Sequence, residues 1–142
     1  MKIYLPEALE LDTAIERIPI NEIYDFLKTS YWANQRSIED VEKSMLNSLC
    51  FGLYLNNKLI GFARVVTDYT ILAYLCDVFI LPQFQANKYG TLFVREIMNY
   101  PKLQTIRRWL LATKDAHELY RKFGFKELES PLRWMEIFRT DV

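Results

Sequence analysis

The sequence predicts an α+β domain with a mixed, mostly antiparallel central sheet flanked by helices. The predicted order is strand, two helices, three strands, helix, strand, helix and strand. The run Ile71–Leu81 is apolar on both faces, which is typical of a central strand. A strand, a long helix and a further strand then follow one another, which predicts a right-handed parallel crossover. We expect the 142 residues to form one domain, residues 1–142.

Two helices follow a weakly defined first strand. Alternation over Glu10–Ile18 indicates this strand, and Pro19 ends it. Apolar residues at helical spacing predict a helix over Ile20–Leu27. Ser37 is a suitable N-cap for the second helix, whose apolar face consists of Ile38, Val41, Met45 and Leu49. A loop rich in polar and aromatic residues separates the two helices.

The middle of the chain reads as a hairpin followed by the crossover. Strands are predicted at Cys50–Leu55 and Leu59–Thr67, and Asn56-Asn57 between them tolerates the positive φ of a tight turn. After the central strand, a largely buried helix over Thr91–Tyr100 leads to a strand over Thr105–Ala112. These two elements complete the parallel crossover.

The C-terminal part combines a short helix with a last strand. Asp115 and Glu118 have capping-box spacing before a helix over 116–123. Gly124 suits the left-handed position that ends this helix, so Phe125 can fold back onto Tyr120 or Leu119. The run Arg133–Phe138 is predicted to be an antiparallel edge strand.

Composition and charge exclude several classes of protein. Hydrophobic residues make up 51% of the chain, which argues against disorder, and eighteen basic residues balance eighteen acidic ones. We therefore expect neither nucleic acid nor a membrane as a partner. Cys50 and Cys76 lie in apolar runs without metal-ligand spacing, which favours buried thiols in a reducing cytoplasm over a disulfide. The N-terminus shows no secretory apolar core, so a cytoplasmic protein is expected.

Two motifs lie where the predicted crossover and the last helix begin. One is Gln85-Ala86-Asn87-Lys88-Tyr89-Gly90 before the crossover helix, and the other is Asp115-Ala116-x-x-Leu119-Tyr120-x-x-x-Gly124-Phe125. Together with the order of elements, they resemble the GNAT superfamily of N-acetyltransferases. In addition, Tyr31-Trp32-Ala33 and the run 61–68 resemble a bacterial subgroup of small members with unassigned substrates.

The resemblance implies a function and a feature of the sheet. It implies acetyl transfer from acetyl-CoA to a primary amine, on a small molecule or a protein, by direct attack in a ternary complex. It implies a splayed pair of parallel strands that receives the cofactor, and no metal. Homodimers are common in the superfamily and are plausible here. The alternative is a non-catalytic acyl-CoA-binding or regulatory module of the same fold.

The loop at 85–90 precedes a helix N-terminus, where unpaired N–H groups and the positive dipole end accept a phosphate. Gln85 and Gly90 match the family pattern, but Lys88 replaces its first glycine, so an ordinary helix start with a surface lysine is the alternative. Asp115 replaces the asparagine of many members and cannot donate a hydrogen bond. The cofactor-binding residues implied by the resemblance are Phe79, Ile80, Leu81, Gln85, Ala86, Asn87, Lys88, Tyr89, Gly90, Thr91, Asp115, Ala116 and Tyr120.

Two residues are candidates for catalysis. Asp77 is a single carboxylate in an apolar strand, where burial would raise its pKa toward that of a general base. A structural pair with the backbone or with Arg64 is an equally good interpretation. By resemblance, the hydroxyl of Tyr120 would protonate the departing thiolate. Packing of Tyr120 on Phe125, with the hydroxyl in solvent, is the alternative.

The acceptor site is expected near the loop between the first two helices. The resemblance places Tyr31, Trp32 and Arg36 there, with Arg64 on the neighbouring strand. Because arginine binds carboxylates bidentately, an amino-acid-like acceptor is one option. The alternative is that the aromatic residues are packing residues and that Arg36 is solvated. His117 is expected at the surface, and Cys76 lacks a nearby base in the sequence.

Overall fold

The computed structural model describes residues 1–142 and contains one mixed sheet of six strands in the order β1-β2-β3-β4-β5-β6. All neighbours are antiparallel except β5 and β6, which are parallel. The α+β prediction is therefore confirmed, including its single parallel pair. The strands are β1 (Lys2–Tyr4), β2 (Leu9–Asp12), β3 (Leu49–Leu55), β4 (Lys58–Thr67), β5 (Leu72–Ile80) and β6 (Arg108–Leu110).

Four α-helices flank this sheet: α1 (Ile20–Thr29), α2 (Ile38–Leu46), α3 (Tyr89–Met98) and α4 (His117–Arg121). Short 3-10 turns lie at 15–17, 82–84, 101–103 and 131–133. As predicted, Ser37 caps α2, and its Oγ accepts from the backbone N–H of Asp40 at 3.1 Å. Asn56 and Asn57 form the hairpin turn with φ values of 50° and 67°. No helix has the length and apolar character needed to cross a membrane.

The two faces of the sheet carry separate cores. On one face, α3 buries Phe93, Val94 and Ile97 against β-strand residues that include Phe51 and Ile60. On the other face, α1 and α2 pack around Phe62 and Phe79 with Ile23, Leu27, Val41 and Met45. Complete burial of each such side chain contributes about 1.5–3 kcal/mol, so both helical layers are held to the sheet mainly by apolar packing.

The N-terminal strand prediction was wrong in its extent. The strand ends at Asp12, because its Oδ1 accepts from the backbone N–H of Ala14 at 3.1 Å and turns the chain. Arg17 then reaches back to the carboxylates of Asp12 and Glu10, at 3.0 and 2.8 Å. The first strand of the sheet, Lys2–Tyr4, was not predicted, since three residues are too few for a periodic signal.

The last-strand prediction, Arg133–Phe138, was also wrong. After a 3-10 turn at Pro131–Arg133, the chain is extended at Trp134 but pairs with no strand of the sheet. Strand β6 is shorter than the predicted Thr105–Ala112, since it pairs with β5 over only three residues. The sheet thus ends at a short strand with an unpaired outer edge.

Candidate active site

Strands β5 and β6 part after a short parallel contact. Their pairing runs from Leu72 opposite Arg108 to Tyr74 opposite Leu110 and then stops, although β5 continues to Ile80. The chain beyond Leu110 turns away toward α4, which leaves a cavity of about 550 Å³ between the two strands. Beyond Tyr74, β5 has no neighbouring strand on its β6 side. The splayed parallel pair that the resemblance implied is confirmed.

A bulge in β5 directs one carboxylate into this region. The register between β4 and β5 shifts between Phe62 and Arg64, and Asp77 has a φ of 52°. Positive φ is uncommon outside glycine, and a bulge redirects the side chain of the extra residue. The side chain of Asp77 consequently lines the cavity with only 2% of its surface exposed.

Two arginines and one indole hold the Asp77 carboxylate. Arg36 Nη1 donates to both oxygens at 2.9 and 2.8 Å, and Arg64 Nε donates to Oδ2 at 2.9 Å. Trp32 Nε1 donates to Oδ1 at 2.9 Å. Burial by itself raises the pKa of Asp77, but the charges and hydrogen bonds of Arg64 and Arg36 outweigh it, so the pKa lies below its ordinary value. The expectation of a raised pKa was wrong, and the pairing with Arg64 is the interpretation that the contacts support.

The loop between α1 and α2 supplies one wall of the cavity, as expected. Tyr31, Trp32 and Arg36 all line it, together with Arg64 from β4. Arg64 is held at two points, since its Nε donates to Asp77 and its Nη1 donates to Ser48 Oγ at 3.0 Å. Arg36 is different because only its Nη1 binds Asp77 and about a third of its side chain is exposed. Part of the Arg36 guanidinium is therefore free to bind a ligand.

Tyr120 is the residue that α4 contributes to the cavity lining. It lies on α4, lines the cavity, and packs edge-on against Phe125 with 5.8 Å between ring centroids. Gly124 ends the helix with a φ of 94°, and the N–H of Phe125 donates to the carbonyl of Tyr120 at 3.3 Å. Burial raises the pKa of Tyr120 to about 12, so its phenol remains protonated and can serve as a proton donor.

The start of α4 differs from the prediction. Asp115 lines the cavity but does not cap the helix, whose N-cap position is Ala116. Thr113 Oγ1 accepts from the Ala116 N–H at 3.1 Å instead. Both Asp115 and Ala116 nevertheless border the cavity, where the resemblance had placed them.

The loop at 85–90 presents a row of free backbone donors. The N–H groups of residues 86–91 form no hydrogen bond with the protein, and Ala86 has a φ of 66°. Gly90, in the first turn of α3, faces open space where a Cβ would otherwise project. Free amides at a helix start together with open space are suited to a phosphate group. Gln85 has a local role as well, since its Nε2 donates to the carbonyl of Ile80 at 2.8 Å.

Ten of the predicted cofactor-binding residues, 79–81 and 85–91, do not line the cavity. The β5 wall of the cavity is formed by residues 74–78 rather than by Phe79, Ile80 and Leu81. The Phe79 ring stacks on Phe26 with 3.9 Å between centroids, and the N–H of Leu81 donates to the carbonyl of Ile60 at 2.8 Å. The Phe79 side chain and the Leu81 amide are therefore already occupied by contacts within the protein and are not available to a ligand.

Sequence reasoning missed several residues of the site. Lys114 lies at the cavity, and its backbone N–H donates to Tyr31 Oη at 3.1 Å, which joins the α1–α2 loop to the start of α4. Phe138 from the C-terminal segment borders the same cavity. No motif marks either residue. Lys114 precedes Asp115 directly, which was the only available signal.

The remaining chemical candidates are inert or lie elsewhere. Both cysteines are free thiols, and burial raises the pKa of Cys50 to about 12 and that of Cys76 to about 11. Cys76 lines the cavity, but a thiol with this pKa is a poor nucleophile at neutral pH. His117 is exposed at the start of α4 and does not line the cavity.

Three features of this chain together are typical of acyl-transferring folds. They are a mixed sheet with a splayed parallel pair, a helix start with free amides, and a tyrosine that faces the gap. The chain belongs to the GNAT family of acetyltransferases, since the model of the acetyltransferase (GNAT) family matches residues 18–125. A crystal structure from Xanthomonas campestris pv. campestris, described as belonging to the GNAT family, is 35% identical with a TM-score of 0.88. The match covers 92% of this chain and 93% of that one.

Two more distant proteins extend the comparison. The Gibberella zeae protein FG08082, named as an acetyltransferase, is 28% identical in an alignment 121 positions long that covers 68% of this chain. The chain spans 66% of the length of that relative. A GNAT family acetyltransferase from Elizabethkingia anophelis, crystallised with acetyl-CoA bound, has a TM-score of 0.68 at 16% identity and shares the fold. That match covers 96% of this chain and 92% of the other.

Proposed function

We propose that this chain is an N-acetyltransferase that moves an acetyl group from acetyl-CoA to a primary amine by direct attack. The observation that carries the proposal is the parting of β5 and β6 after Tyr74 and Leu110, which opens a cavity beside unpaired strand backbone. An extended chain that enters such a gap can take the place of a strand.

The cytoplasm is proposed as the location, in keeping with the two free thiols.

The residues at the start of α3 fit the pyrophosphate of the donor. The free N–H groups of residues 86–91 would donate to its oxygens, and Gly90 leaves room for close approach. Lys88 adds a positive charge to this loop in place of the flexibility of glycine. The acetyl-CoA bound to the Elizabethkingia protein of the same fold supports this choice of donor.

The reaction needs one nucleophile and two proton transfers. The neutral amine attacks the thioester carbonyl, a C–N bond forms, and the C–S bond breaks. The thiolate takes a proton from Tyr120, a residue of the cavity lining that burial keeps protonated by raising its pKa to about 12. Because this pKa also makes the phenol a weak acid, the transfer is completed only as water reprotonates the phenolate. The amine proton passes to water, and water later returns a proton to Tyr120.

Asp77 has a positioning role in this proposal. Its carboxylate accepts four hydrogen bonds from Trp32, Arg36 and Arg64, and its lowered pKa makes it a weak base. The same contacts hold Trp32 and Arg36, from the α1–α2 loop, against β5. Loss of the carboxylate would release the wall on which the acceptor is expected to lie.

The acceptor is proposed to carry a carboxylate near its amine. Arg36 lines the cavity with part of its guanidinium unpaired, and Lys114 lines it too, with its Nζ 5.4 Å from the centroid of the Tyr31 ring. Three cations, Arg36, Arg64 and Lys114, line the cavity against the two carboxylates of Asp77 and Asp115. This excess of positive charge favours an anionic group on the acceptor.

The Tyr31-Trp32-Ala33 loop supports a relation to the small bacterial members of the family, and we propose that the chain belongs to that subgroup.

The alternative function is a non-catalytic acyl-CoA-binding module. Lys88 in the loop favours it, as does the ion-paired state of the only carboxylate on the β5 wall. Titration calorimetry with acetyl-CoA, followed by a free-thiol assay with a panel of amines, separates the two functions. Binding with amine-dependent thiol release supports the enzyme, and binding without release for any amine supports the module. Absence of binding would exclude both.

A further inference from the structure

The loop between α1 and α2 makes contacts on both sides of the gap where β5 and β6 part. On one side, Trp32 and Arg36 donate hydrogen bonds to the Asp77 carboxylate on β5. On the other side, the backbone N–H of Lys114 donates to Tyr31 Oη at 3.1 Å, across 83 residues of sequence. Because β5 and β6 are no longer paired at this depth, the loop is a second connection between β5 and the chain that follows β6.

The contact with Tyr31 holds the connection between β6 and α4. Lys114 lies in this connection, where the only other side-chain hydrogen bond is the local one from the Ala116 N–H to Thr113 Oγ1. Helix α4 has five residues, and a helix of this length is not stable without tertiary contacts. The packing of Phe125 fixes the end of α4, and the hydrogen bond to Tyr31 is the long-range one that fixes its start.

Tyr120 lies one helical turn beyond the segment that Tyr31 contacts. Its backbone N–H donates to the carbonyl of Ala116 at 3.3 Å, so a shift of the helix start would carry the phenol with it. Both tyrosines line the same cavity. Burial raises the pKa of Tyr120 and the charge of Tyr31 raises it further, which places the two phenols near each other. The exposed Tyr31 is therefore linked, through one amide, to the placement of a buried phenol.

We propose that Tyr31 is a positioning residue for the proton transfer from Tyr120. Its hydroxyl accepts from the Lys114 amide, fixes the start of α4 and thereby places the Tyr120 hydroxyl where the thiolate departs. The inference rests on the proposed function, and Tyr31 itself gives up no proton. The side chain of Lys114 adds to the contact, since its Nζ lies 5.4 Å from the centroid of the Tyr31 ring and is attracted to the ring face.

Tyr31→Phe removes the hydrogen-bond acceptor and keeps the ring that Lys114 contacts. We expect kcat to fall about 10-fold, the equivalent of one net hydrogen bond, with the KM for acetyl-CoA unchanged. Steady-state thiol release measures both constants. Tyr4→Phe, at an exposed tyrosine that does not line the cavity, is the matched control and should keep the wild-type kcat. Full kcat in Tyr31→Phe overturns the inference.

A double variant separates positioning of Tyr120 from a contact with the acceptor or a general loss of structure. If Tyr31 acts through Tyr120, Tyr31→Phe should lower kcat no further in a chain that already carries Tyr120→Phe, because the positioned hydroxyl is absent. Two effects that multiply in the double variant overturn the inference and leave the proposed function intact. Thiol release from no amine in the wild type would instead overturn the proposed function.

Amide exchange measured by NMR tests the structural link without any turnover. We expect the Tyr120 amide to exchange about 10-fold faster in Tyr31→Phe than in the wild type, because the start of α4 is released. The amide of Ile97, a buried residue of α3, is the internal reference and should be unchanged. An unchanged exchange rate at Tyr120 overturns the inference, whether or not any amine is acetylated.

Discussion

At the level of single residues, the cavity is organised by one carboxylate and one phenol with opposite properties. Asp77 is ion-paired and remains charged, since Arg64 and Arg36 hold its pKa below the ordinary value. Tyr120 is buried without a charged partner and remains protonated, with a pKa of about 12. The two groups are thus suited to the different tasks that we propose for them, in which Asp77 would position the acceptor wall and Tyr120 would supply a proton.

Replacement of Tyr120 by phenylalanine removes the proposed proton donor and leaves the ring packed on Phe125. We expect kcat to fall about 100-fold, with the KM for acetyl-CoA unchanged, because the hydroxyl acts on the leaving thiolate. Steady-state thiol release with wild type and Tyr120→Phe measures this change. Tyr24→Phe, at a tyrosine on α1 that does not line the cavity, is the control and should keep full activity. Full activity in Tyr120→Phe would remove this residue from the mechanism.

Replacement of Asp77 by asparagine removes the negative charge between two buried arginines. Because breaking a buried ion pair leaves charges without partners, we expect the free energy of unfolding to fall by about 3 kcal/mol at neutral pH. Urea unfolding of both proteins measures the difference. Retention of full stability in Asp77→Asn would mean that Arg36 and Arg64 do not depend on this carboxylate.

The ion pairs of Asp77 with Arg36 and Arg64 also predict how the stability of the fold depends on pH. The pKa of Asp77 is lower in the folded chain than its ordinary value of 3.8, so the stabilisation is complete above that value and is lost as pH falls through the folded pKa. The stability difference between wild type and Asp77→Asn should therefore be constant near neutrality and shrink below about pH 4. A difference that grows toward acid pH would contradict a lowered pKa.

At the level of elements, the start of α3 combines an unusual loop with free amides. Residues 86–91 leave their N–H groups unpaired, and Gly90 faces open space. The loop has no structural need for a glycine at this point, since φ at Gly90 is not positive. We propose that the open space at Gly90 receives a ligand that approaches the backbone.

Gly90→Glu places an anionic side chain in that space. We expect the affinity for acetyl-CoA to fall about 10-fold or more, because the carboxylate repels the pyrophosphate and obstructs the amides. Calorimetry measures the affinity, and Gly90→Gln is the matched control that separates charge from volume. Thermal stability should not fall in either variant, since a Cβ meets no atom within 4 Å. Unchanged affinity in both variants would move the pyrophosphate away from this loop.

At the level of the whole molecule, one sheet joins the two walls of the cavity. Strand β5 carries Asp77, α4 carries Tyr120, and the two are connected through β6 over only three paired residues. A donor that bridges the gap would bind the folded chain but not the unfolded chain. Its binding should therefore stabilise the entire fold rather than one element.

Acetyl-CoA should accordingly raise the unfolding free energy by about 2.7 kcal/mol at 100 times its dissociation constant. Denaturant unfolding with and without acetyl-CoA measures the shift. Acetyl-pantetheine, which lacks the nucleotide and its phosphates, should give a smaller shift. Gly90→Glu should show a smaller shift than wild type at the same acetyl-CoA concentration. An equal shift in both proteins would contradict a pyrophosphate contact at α3.

What the sequence determined by itself was local. Helical spacing predicted α1 and α2, Ser37 predicted a cap, Asn56-Asn57 predicted a turn with positive φ, and Gly124-Phe125 predicted the end of α4. Each depends on residues only a few positions apart, whose preferences act before tertiary contacts form. The motif at 115–125 likewise marked residues that line the cavity, namely Asp115, Ala116 and Tyr120, whereas cofactor binding at 85–90 stays a prediction.

Only the tertiary structure decided the state of Asp77 and the position of the C-terminal segment. Arg36 lies 41 residues from Asp77 in sequence, so its contact and the resulting fall in pKa depend on how the α1–α2 loop packs on β5. The alternating run 133–138 has strand-forming residues, but a strand also needs an edge to pair with, and its own chain carries it past β6. Charge pairing and strand pairing are long-range contacts, which local sequence preferences do not specify.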